Sequence, residues 1–264
     1  MDTKFLENLL EKITAAQKEA AELILHAHGI MTEMKSGHRD LVTDYDKRVQ
    51  DLMMERLRTA LPGASFFCEE NSVQDDLSGE HVFIIDPIDG TMNFIRSMHH
   101  SCIAVAYASR GEVQLGAVYN PYFDELFTAI KGQGAFLNGR AIHAEEAPLS
   151  ETVFCMGTSP YKPELTEESF RLARIAMEAS LDLRRFASAE LDLCAVAAGR
   201  AGLYFELELS TWDFAAGKLI VEEAGGLCCT IDGGEVPLDG SKPSVLAGSR
   251  QAVGDFLSLI KKEN

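Results

Sequence analysis

The feature that most constrains this chain is a short apolar run ending in two closely spaced carboxylates. Residues 82–85 (Val-Phe-Ile-Ile) lead into the segment Asp86-Pro87-Ile88-Asp89-Gly90-Thr91-Met92-Asn93-Phe94. The run is rich in β-branched residues and bounded by polar ones, which predicts a buried strand carrying both carboxylates at its carboxyl end. Pro87 fixes its own φ and Gly90 permits a positive φ, so we expect Asp86 and Asp89 to converge at a rigid corner.

Two converging carboxylates repel each other unless a positive charge lies between them. Mg²⁺ suits a site that offers few protein oxygens and leaves phosphate to complete the shell. The alternative is a solvated, aspartate-rich turn, and an Asp-Pro pair alone would favour it. The rest of the chain therefore has to decide between the two interpretations.

Three further acidic segments lie in the same chain, one near the start, one shortly before the apolar run and one far downstream. They are Asp40-Leu41-Val42-Thr43-Asp44-Tyr45-Asp46, Cys68-Glu69-Glu70-Asn71, and Trp212-Asp213-Phe214-Ala215-Ala216-Gly217 followed by Glu222-Glu223-Ala224-Gly225-Gly226. Together with the first segment they resemble, in the same order, the inositol monophosphatase family of Mg²⁺-dependent phosphomonoesterases. Four separated segments are far more specific than one motif.

The resemblance implies an α/β fold, the layered αβαβα sandwich of the sugar phosphatases, with the active site between its two parts. It implies two or three Mg²⁺ ions per site, held by Glu69, Asp86, the backbone carbonyl of Ile88, Asp89 and Asp213. Two of these residues have a simpler interpretation. Glu69 could belong to a solvated charge pair with Glu70, and Asp213 could stabilise a helix start beside a Thr211 cap.

The resemblance also implies a pair of residues that activates water. Thr91 matches a family threonine whose hydroxyl bonds the attacking water, and Asp46 matches the aspartate that works with it. The hydroxyl of Thr91 could at the same time cap a helix that begins at this turn. Gly90 and Thr91 would then also present backbone N–H groups to the phosphate.

Substrate contacts are expected mainly from the second half of the chain. Glu206 matches a family glutamate that bonds substrate hydroxyls, although alternation with Glu208 also fits an exposed strand residue. Ala187-Ser188-Ala189 matches a ligand-lining segment in which the family usually has glycine first. Glu190 replaces a usual alanine, and its charge could disfavour a second phosphate, accept a sugar hydroxyl or point to solvent.

Composition limits the partners and the compartment. The 264 residues include 24 basic and 41 acidic ones, for a net charge of −17, which argues against nucleic acid and anionic membranes as partners. The first residues lack the basic and apolar regions of a signal peptide, and no apolar run approaches about 20 residues. We therefore expect a cytoplasmic protein.

The six cysteines show no zinc-site spacing and are expected to be buried thiols, including Cys68 next to Glu69. The adjacent His99 and His100 should point to opposite faces and so not share a metal.

The hydrophobic pattern divides the chain into two parts, residues 1–150 and 151–264. In the first part, two amphipathic helices, one near the start and one after Asp46, precede apolar strands at 82–85, 102–108, 113–119 and 125–130, which indicates helices on a largely antiparallel sheet. The second part alternates. Strands are predicted at 153–156, 181–186, 203–207, 227–230 and 245–247, and helices at 167–179, 189–198, 211–223 and 250–261.

The sequence thus predicts Mg²⁺-dependent hydrolysis of a small polyol or sugar phosphate, foremost myo-inositol monophosphate, by a homodimer. Fructose-1,6-bisphosphatase, histidinol phosphatase and adenosine bisphosphate phosphatase activities share the scaffold and stay open. A regulatory binding partner without catalysis is the alternative from another class, and the intact acidic set argues against it.

Overall fold

The first helix shows how the sequence determines the outer layer. A computed structural model describes residues 2–37, 40–71 and 74–263. Leu6, Leu9 and Ile13 begin an apolar stripe that is buried along the helix Thr3–Leu25. Gln17, on the same stripe, donates from Nε2 to the carbonyls of Ile103 and Ala117, both at 2.9 Å. These bonds fix the helix to two neighbouring strands of a large sheet.

The helices of the described ranges number seven. They are α1 Thr3–Leu25, α2 Asp44–Ala60, α3 Thr91–Ile95, α4 Thr166–Ala179, α5 Ala189–Ala197, α6 Ala215–Glu223 and α7 Arg250–Glu263. Short 3-10 turns lie at Leu149–Glu151, Pro163–Leu165 and Thr211–Asp213. None of these helices has both the length and the apolar character that a membrane crossing requires.

Strands β1 to β9 belong to the first part of the chain: β1 Thr32–Gly37, β2 Asp40–Thr43, β3 Ser65–Cys68, β4 Val82–Asp89, β5 Cys102–Ser109, β6 Glu112–Asn120, β7 Glu125–Ile130, β8 Ala135–Leu137 and β9 Arg140–Ile142. β1 and β2 form a hairpin, and β3 to β9 form a seven-stranded sheet in chain order. The sheet is antiparallel except for the parallel pair β3 and β4, so the predicted, largely antiparallel sheet is confirmed.

The second part of the chain forms a smaller sheet. Its strands are β10 Val153–Met156, β11 Asp182–Arg184, β12 Leu203–Glu206, β13 Leu227–Cys229 and β14 Val245–Gly248, in the spatial order β11-β10-β12-β14-β13. All five correspond to strands that the sequence predicts.

Three apolar clusters fill the four interfaces between five layers, since one cluster extends over both sides of the central layer. α1 and α2 cover one face of the large sheet, α5 and α6 lie between the two sheets, and α4 and α7 cover the far face of the small sheet. This order is the αβαβα sandwich that the resemblance implies. The division into residues 1–150 and 151–264 stays a prediction; all strands of the large sheet lie in the first part, whereas α5 and α6 of the second part pack on it.

The sequence pattern misses five short strands, namely β1, β2, β3, β8 and β9. Each has six residues or fewer, and pairing partners rather than their own pattern hold them in place. It also places the corner of the acidic segment too early. β4 runs on through Pro87 to Asp89 with a register shift against β5, and the chain turns at Gly90, whose φ is 89°.

Another boundary differs from its prediction. The helix expected over 211–223 consists of the 3-10 turn Thr211–Asp213 and the separate α6, with Phe214 between them at φ −140°. Asp213 therefore lies at the end of a tight turn and not inside a regular helix.

α6 lies directly against the middle of the large sheet, and one glycine makes this approach feasible. A Cβ on Gly116 of β6 would stand 2.7 Å from the carbonyl oxygen of Ala216. Because both groups are backbone-anchored, a methyl group at this position has to push the helix away from the sheet.

We expect Gly116→Ala to lower the free energy of unfolding by about 1–3 kcal/mol, because the core cannot take up the added methyl. Denaturant unfolding measures it. Gly254→Ala in α7 is the matched control: a Cβ there meets nothing within 4 Å, so the same methyl should leave stability equal or slightly higher. Equal effects of the two substitutions would contradict this account of the contact.

Candidate active site

The acidic segments meet in one cleft of about 390 Å³ between the two sheets. Its walls include nearly all residues that the sequence singles out: Glu69, Asp86, Ile88, Asp89, Gly90, Thr91, Ala187, Ser188, Ala189, Glu206 and Asp213. The remaining one, Asp46, lies behind the wall and contacts Thr91. The structure thus brings the predicted site residues together, while their individual roles stay predictions.

β4 supplies the floor of the cleft. Asp86 is 2% exposed, and its Oδ1 accepts a bond of 3.0 Å from the backbone N–H of Ile88, two residues on. Burial raises the pKa of Asp86 well above its usual range, and the charges of Glu69, Asp89 and Asp213 raise it further. Ionisation of Asp86 at this place is therefore costly.

Asp89, at the end of β4, is tied to the first turn of α5. Its Oδ2 accepts from the hydroxyl of Ser188 at 2.6 Å and from the N–H of Glu190 at 2.8 Å, and its Oδ1 accepts from the N–H of Ala189 at 3.3 Å. Burial raises the pKa of Asp89 to about 6, and these donors limit the rise. A side chain on a strand of one sheet thereby caps a helix that the other half of the chain provides.

Asp213 reaches the cleft from the 3-10 turn Thr211–Asp213. Its Oδ2 accepts a bond of 2.7 Å from the backbone N–H of Ser210, in a capping box that starts the 3-10 turn. The sequence analysis names Thr211 as the cap, and the structure corrects it to Ser210. Asp213 therefore both caps the 3-10 turn and lines the cleft. Burial, with the charges of Glu69 and Asp89, raises its pKa well above its usual range.

Asp46 and Thr91 form a connected pair at the edge of the cleft. The hydroxyl of Thr91 lies 3.2 Å from Asp46 Oδ1 and 3.1 Å from the carbonyl oxygen of Ile88. Asp46 Oδ2 accepts from the backbone N–H of Thr43 at 2.8 Å and from its hydroxyl at 2.5 Å, which starts α2. Burial raises the pKa of Asp46 to about 7 against the lowering effect of Thr43. Gly90, not Thr91, is the N-cap residue of α3.

A lysine that sequence reasoning missed provides positive charge at this edge. Lys35 in β1 donates to Glu69 at 2.8 Å and to Glu70 at 2.5 Å. Burial acts to lower the pKa of Lys35, but the two glutamates raise it overall, so the ammonium stays charged. The pair Glu69-Glu70 is therefore not merely solvated, and such an adjacent acidic pair could have signalled a cation nearby.

Another part of the cleft is built around Glu206. This side chain is 8% exposed, which excludes the exposed-strand interpretation. Its Oε1 accepts from the N–H of Ser159 at 2.8 Å, and its Oε2 accepts from the hydroxyl of Tyr204 at 3.0 Å. Arg185, also missed, lines the same cleft and donates to the Thr158 hydroxyl at 2.9 Å.

Ala187 has a φ of 62°, in the left-handed region that favours the glycine usual at this position in the family. An alanine there costs on the order of 1 kcal/mol. The backbone of the segment is kept in spite of that cost, which places Ser188 and Ala189 against Asp89.

Glu190 does not take any of the positions expected for it. It is fully buried, does not line the cleft and bonds to backbone N–H groups of α6. Pointing to solvent is excluded, since the side chain turns toward α6, whereas the effect of its charge on a second phosphate stays a prediction.

The remaining candidates behave as expected. All six cysteines are buried free thiols, and Cys102 lies 3.8 Å from both Asp89 Oδ2 and the Ser188 hydroxyl. Burial raises the pKa of Cys102 well above its usual range. His99 and His100 pack on different rings, those of Tyr122 and Phe186.

The cleft is suited to hard cations. Its donors are carboxylate and backbone oxygens, the ligand type that Mg²⁺ prefers. The carboxylates outnumber the two cations nearby, Arg185 in the lining and Lys35 beside Glu69. Among the residues that the structure describes, no three His, Cys, Asp or Glu side chains converge into a preassembled metal cluster. The carboxylates line a shared cleft and do not form a closed shell.

A layered αβαβα sandwich with an acidic cleft between its sheets defines a class of phosphatase-like proteins. The inositol monophosphatase family model matches residues 5–263, and this chain belongs to that family.

Relatives with two different names are similar over most of the chain. The inositol-1-monophosphatase of Mesorhizobium japonicum (strain LMG 29417 / CECT 9101 / MAFF 303099) is 37% identical, over 86% of this chain and 85% of its own length. The Nus factor SuhB of Pasteurella multocida (strain Pm70) is 35% identical, over 88% of this chain and 86% of its own length.

Solved structures agree with the fold. The extragenic suppressor protein suhB from Bartonella henselae has a TM-score of 0.90 and 31% identity, covering 97% of this chain and 99% of that one. An IMPase/NADP phosphatase complexed with Mg²⁺ and phosphate has a TM-score of 0.86 and 26% identity, covering 96% and 95%. A dual specific IMPase/NADP phosphatase bound with D-inositol-1-phosphate has a TM-score of 0.83 and 26% identity, again covering 96% and 95%.

The crowding of buried carboxylates has a measurable consequence for stability. In chelator at about pH 8, well above the ordinary pKa of aspartate, we expect Asp86→Asn to raise the free energy of unfolding by about 0.5–2 kcal/mol. The amide keeps the oxygen that Ile88 needs and removes a charge opposed by Glu69, Asp89 and Asp213. Thermal unfolding measures the change.

The exposed Asp51 in α2 offers a matched control. Asp51→Asn should change stability by less than about 0.5 kcal/mol. If Asp86→Asn proves less stable than the parent protein in chelator, the carboxylates are not under the mutual repulsion inferred here.

Proposed function

We propose that this protein is a Mg²⁺-dependent phosphatase of small polyol and sugar monophosphates, with myo-inositol monophosphate as its foremost substrate. The observation that carries the proposal is the convergence of Glu69, Asp86, Asp89 and Asp213 on one cleft, where Arg185 in the lining and Lys35 beside Glu69 leave an excess of negative charge. A cleft so negative cannot take up a phosphate ester directly. Cations have to stand between the carboxylates and the substrate.

The proposed ligands are Glu69, Asp86, Asp89, Asp213 and the carbonyl of Ile88, for two or three ions. When bound, Mg²⁺ neutralises the phosphoryl oxygens and the leaving oxygen and lowers the pKa of water. The similar solved structure of an IMPase/NADP phosphatase complexed with Mg²⁺ and phosphate supports this assignment.

In this proposal, Thr91 and Asp46 move the proton of the attacking water. The Thr91 hydroxyl donates toward Asp46 Oδ1 at 3.2 Å and can accept from a water in the cleft through its lone pairs. Thr43 holds the other oxygen of Asp46, so the carboxylate cannot rotate away. Asp46 then receives the proton, acting as the general base through Thr91.

Gly90, Ser188 and Ala189 are proposed to contact the phosphate, and Glu206 to accept a substrate hydroxyl. Glu206 is held by Ser159 and Tyr204 at fixed oxygens, so it offers a rigid acceptor to a polyol. The similar solved structure of a dual specific IMPase/NADP phosphatase bound with D-inositol-1-phosphate supports a polyol ligand. The expectation that Glu190 disfavours a second phosphate stays a prediction, and the activities on fructose-1,6-bisphosphate, histidinol phosphate and adenosine bisphosphate stay open.

A regulatory role without catalysis is the second candidate, and it is favoured by relatives that carry the name Nus factor SuhB. A partner-binding protein has no need of the acidic cleft, whereas a charge of −17 opposes direct contact with nucleic acid. Both observations support the phosphatase as the first candidate.

We further propose a homodimer in the cytoplasm. Phe123 and Phe186 are 65% and 41% exposed at the mouth of a second cavity, which supports an apolar contact surface. Light scattering that returns the mass of one chain, 28.9 kDa, would count against the dimer.

The direct test is a panel of phosphate esters assayed with Mg²⁺ and with chelator. We expect hydrolysis of myo-inositol monophosphate with Mg²⁺, none with chelator, and loss of at least about 100-fold in Asp213→Asn, because an amide carries no charge to hold the ion. The variant Asp232→Asn, in an exposed turn, serves as the control and should keep full activity. Unchanged turnover in chelator would refute the proposed function.

The proton relay predicts a separate kinetic signature. Thr91→Ala should lower kcat by about 100-fold or more with little change in the Mg²⁺ concentration for half-maximal rate, because the hydroxyl is not proposed as a ligand. Thr91→Ser keeps the hydroxyl and should retain most of kcat. An effect of Thr91→Ala on Mg²⁺ affinity alone would show that the relay is wrongly assigned.

A further inference from the structure

Glu190 is a buried acidic group next to the cleft that the proposed mechanism does not use; Asp192, in the same helix, is another and lines the cleft itself. Glu190 is 0% exposed, it is the second residue of α5, and it lies beside Asp89, whose Oδ2 accepts from its backbone N–H at 2.8 Å. A carboxylate buried this completely needs strong donors to offset its desolvation.

The donors are backbone groups at the start of α6. Glu190 Oε1 accepts from the N–H of Ala216 at 3.2 Å, and Oε2 accepts from the N–H of Gly217 at 2.6 Å. These groups belong to the first turn of α6, where N–H groups have no partner inside the helix. A negative charge at this end also interacts favourably with the helix dipole.

α6 has no cap of its own. Its N-cap residue is Phe214, whose side chain cannot accept a hydrogen bond. Glu190 replaces the missing cap from another helix. The fit leaves no space, because a Cβ on Gly217 would stand 2.6 Å from Glu190 Oε2.

The result is a chain of contacts across the central layer. Asp89 on β4 caps α5, Glu190 on α5 caps α6, and Asp213 ends the turn that leads into α6. Asp89 and Asp213, which both line the cleft, are thereby connected through Glu190.

We propose that Glu190 is a positioning residue that locks the start of α6 to α5 and so sets the place of Asp213 relative to Asp89. It touches neither substrate nor reacting atoms. The inference rests on the proposed function, because it assigns Glu190 to the arrangement of the proposed Mg²⁺ ligands.

Two conservative variants separate position from charge. Glu190→Gln keeps the length, but its NH₂ group faces one of the two backbone donors. Glu190→Asp keeps the charge but is shorter by one methylene and cannot reach both N–H groups. We expect both variants to weaken Mg²⁺ binding about 10–100-fold, measured by titration calorimetry without substrate.

Kinetics and hydrogen exchange give two further readouts. At saturating Mg²⁺, kcat should fall in both variants while KM changes less than about threefold, since substrate contacts are untouched. The amide protons of Ala216 and Gly217 should exchange at least about tenfold faster than in the parent protein. A purely structural role elsewhere would not move these two amides selectively.

Phe256→Leu supplies a stability control. Phe256 is fully buried in the outer layer against Phe205, far from the contacts described, so this variant loses stability without touching α5 or α6. Its Mg²⁺ affinity should equal that of the parent protein. If it weakens binding as much as Glu190→Gln does, general destabilisation explains the effect and the inference fails.

The remaining outcomes are also decisive. If Glu190→Asp binds Mg²⁺ as the parent protein does, only the charge at position 190 affects binding, and the proposed positioning of α6 by Glu190 is refuted. Unchanged exchange at Ala216 and Gly217 in both variants refutes it as well. A parent protein that binds no Mg²⁺ refutes the proposed function, whereas normal Mg²⁺ binding by the parent and both variants refutes only this inference.

Discussion

Buried negative charge at the ends of helices is the constraint on which the rest of this structure depends. Asp46 accepts the N-cap N–H of α2, Asp89 caps α5, Asp213 accepts the N-cap N–H of the turn before α6, and Glu190 caps α6 itself. In each case a carboxylate accepts N–H groups that would otherwise lack a partner. The same contacts that begin the helices also hold the acidic side chains at fixed places around the cleft, so folding and site assembly use the same bonds.

The layered architecture gives these carboxylates a common frame. β4, in the large sheet, carries Asp86 and Asp89, while α6 rests against Gly116 of β6 in the same sheet. The large sheet thus positions acidic side chains of the cleft that come from distant parts of the chain. Residues such as Ala187 can be held in a costly backbone conformation because several layers fix the segment around them.

Much of this could be predicted from residues 82–94, the two amphipathic helices and the alternation after residue 150. Those features depend on local periodicity and on motifs that lie close together in the chain. Lys35, Arg185 and the orientation of Glu190 could not be predicted, because each depends on contacts between segments far apart in sequence: β1 with the Glu69 segment, or α5 with α6. Short strands such as β3 and β8 were missed for the same reason, since pairing partners determine them.

The buried thiols have a consequence for how the central layer can be observed. Cys102 in β5 and Cys194 in α5 are completely buried, and Cys102 lies against Asp89 and Ser188 at the seam between strand and helix. Burial raises the pKa of both thiols, so they stay protonated and inert while the layers are closed. Labelling by a thiol reagent therefore requires β5 and α5 to separate locally. The labelling rate of these two native cysteines therefore reports how often the central layer opens locally, and no engineered probe is needed.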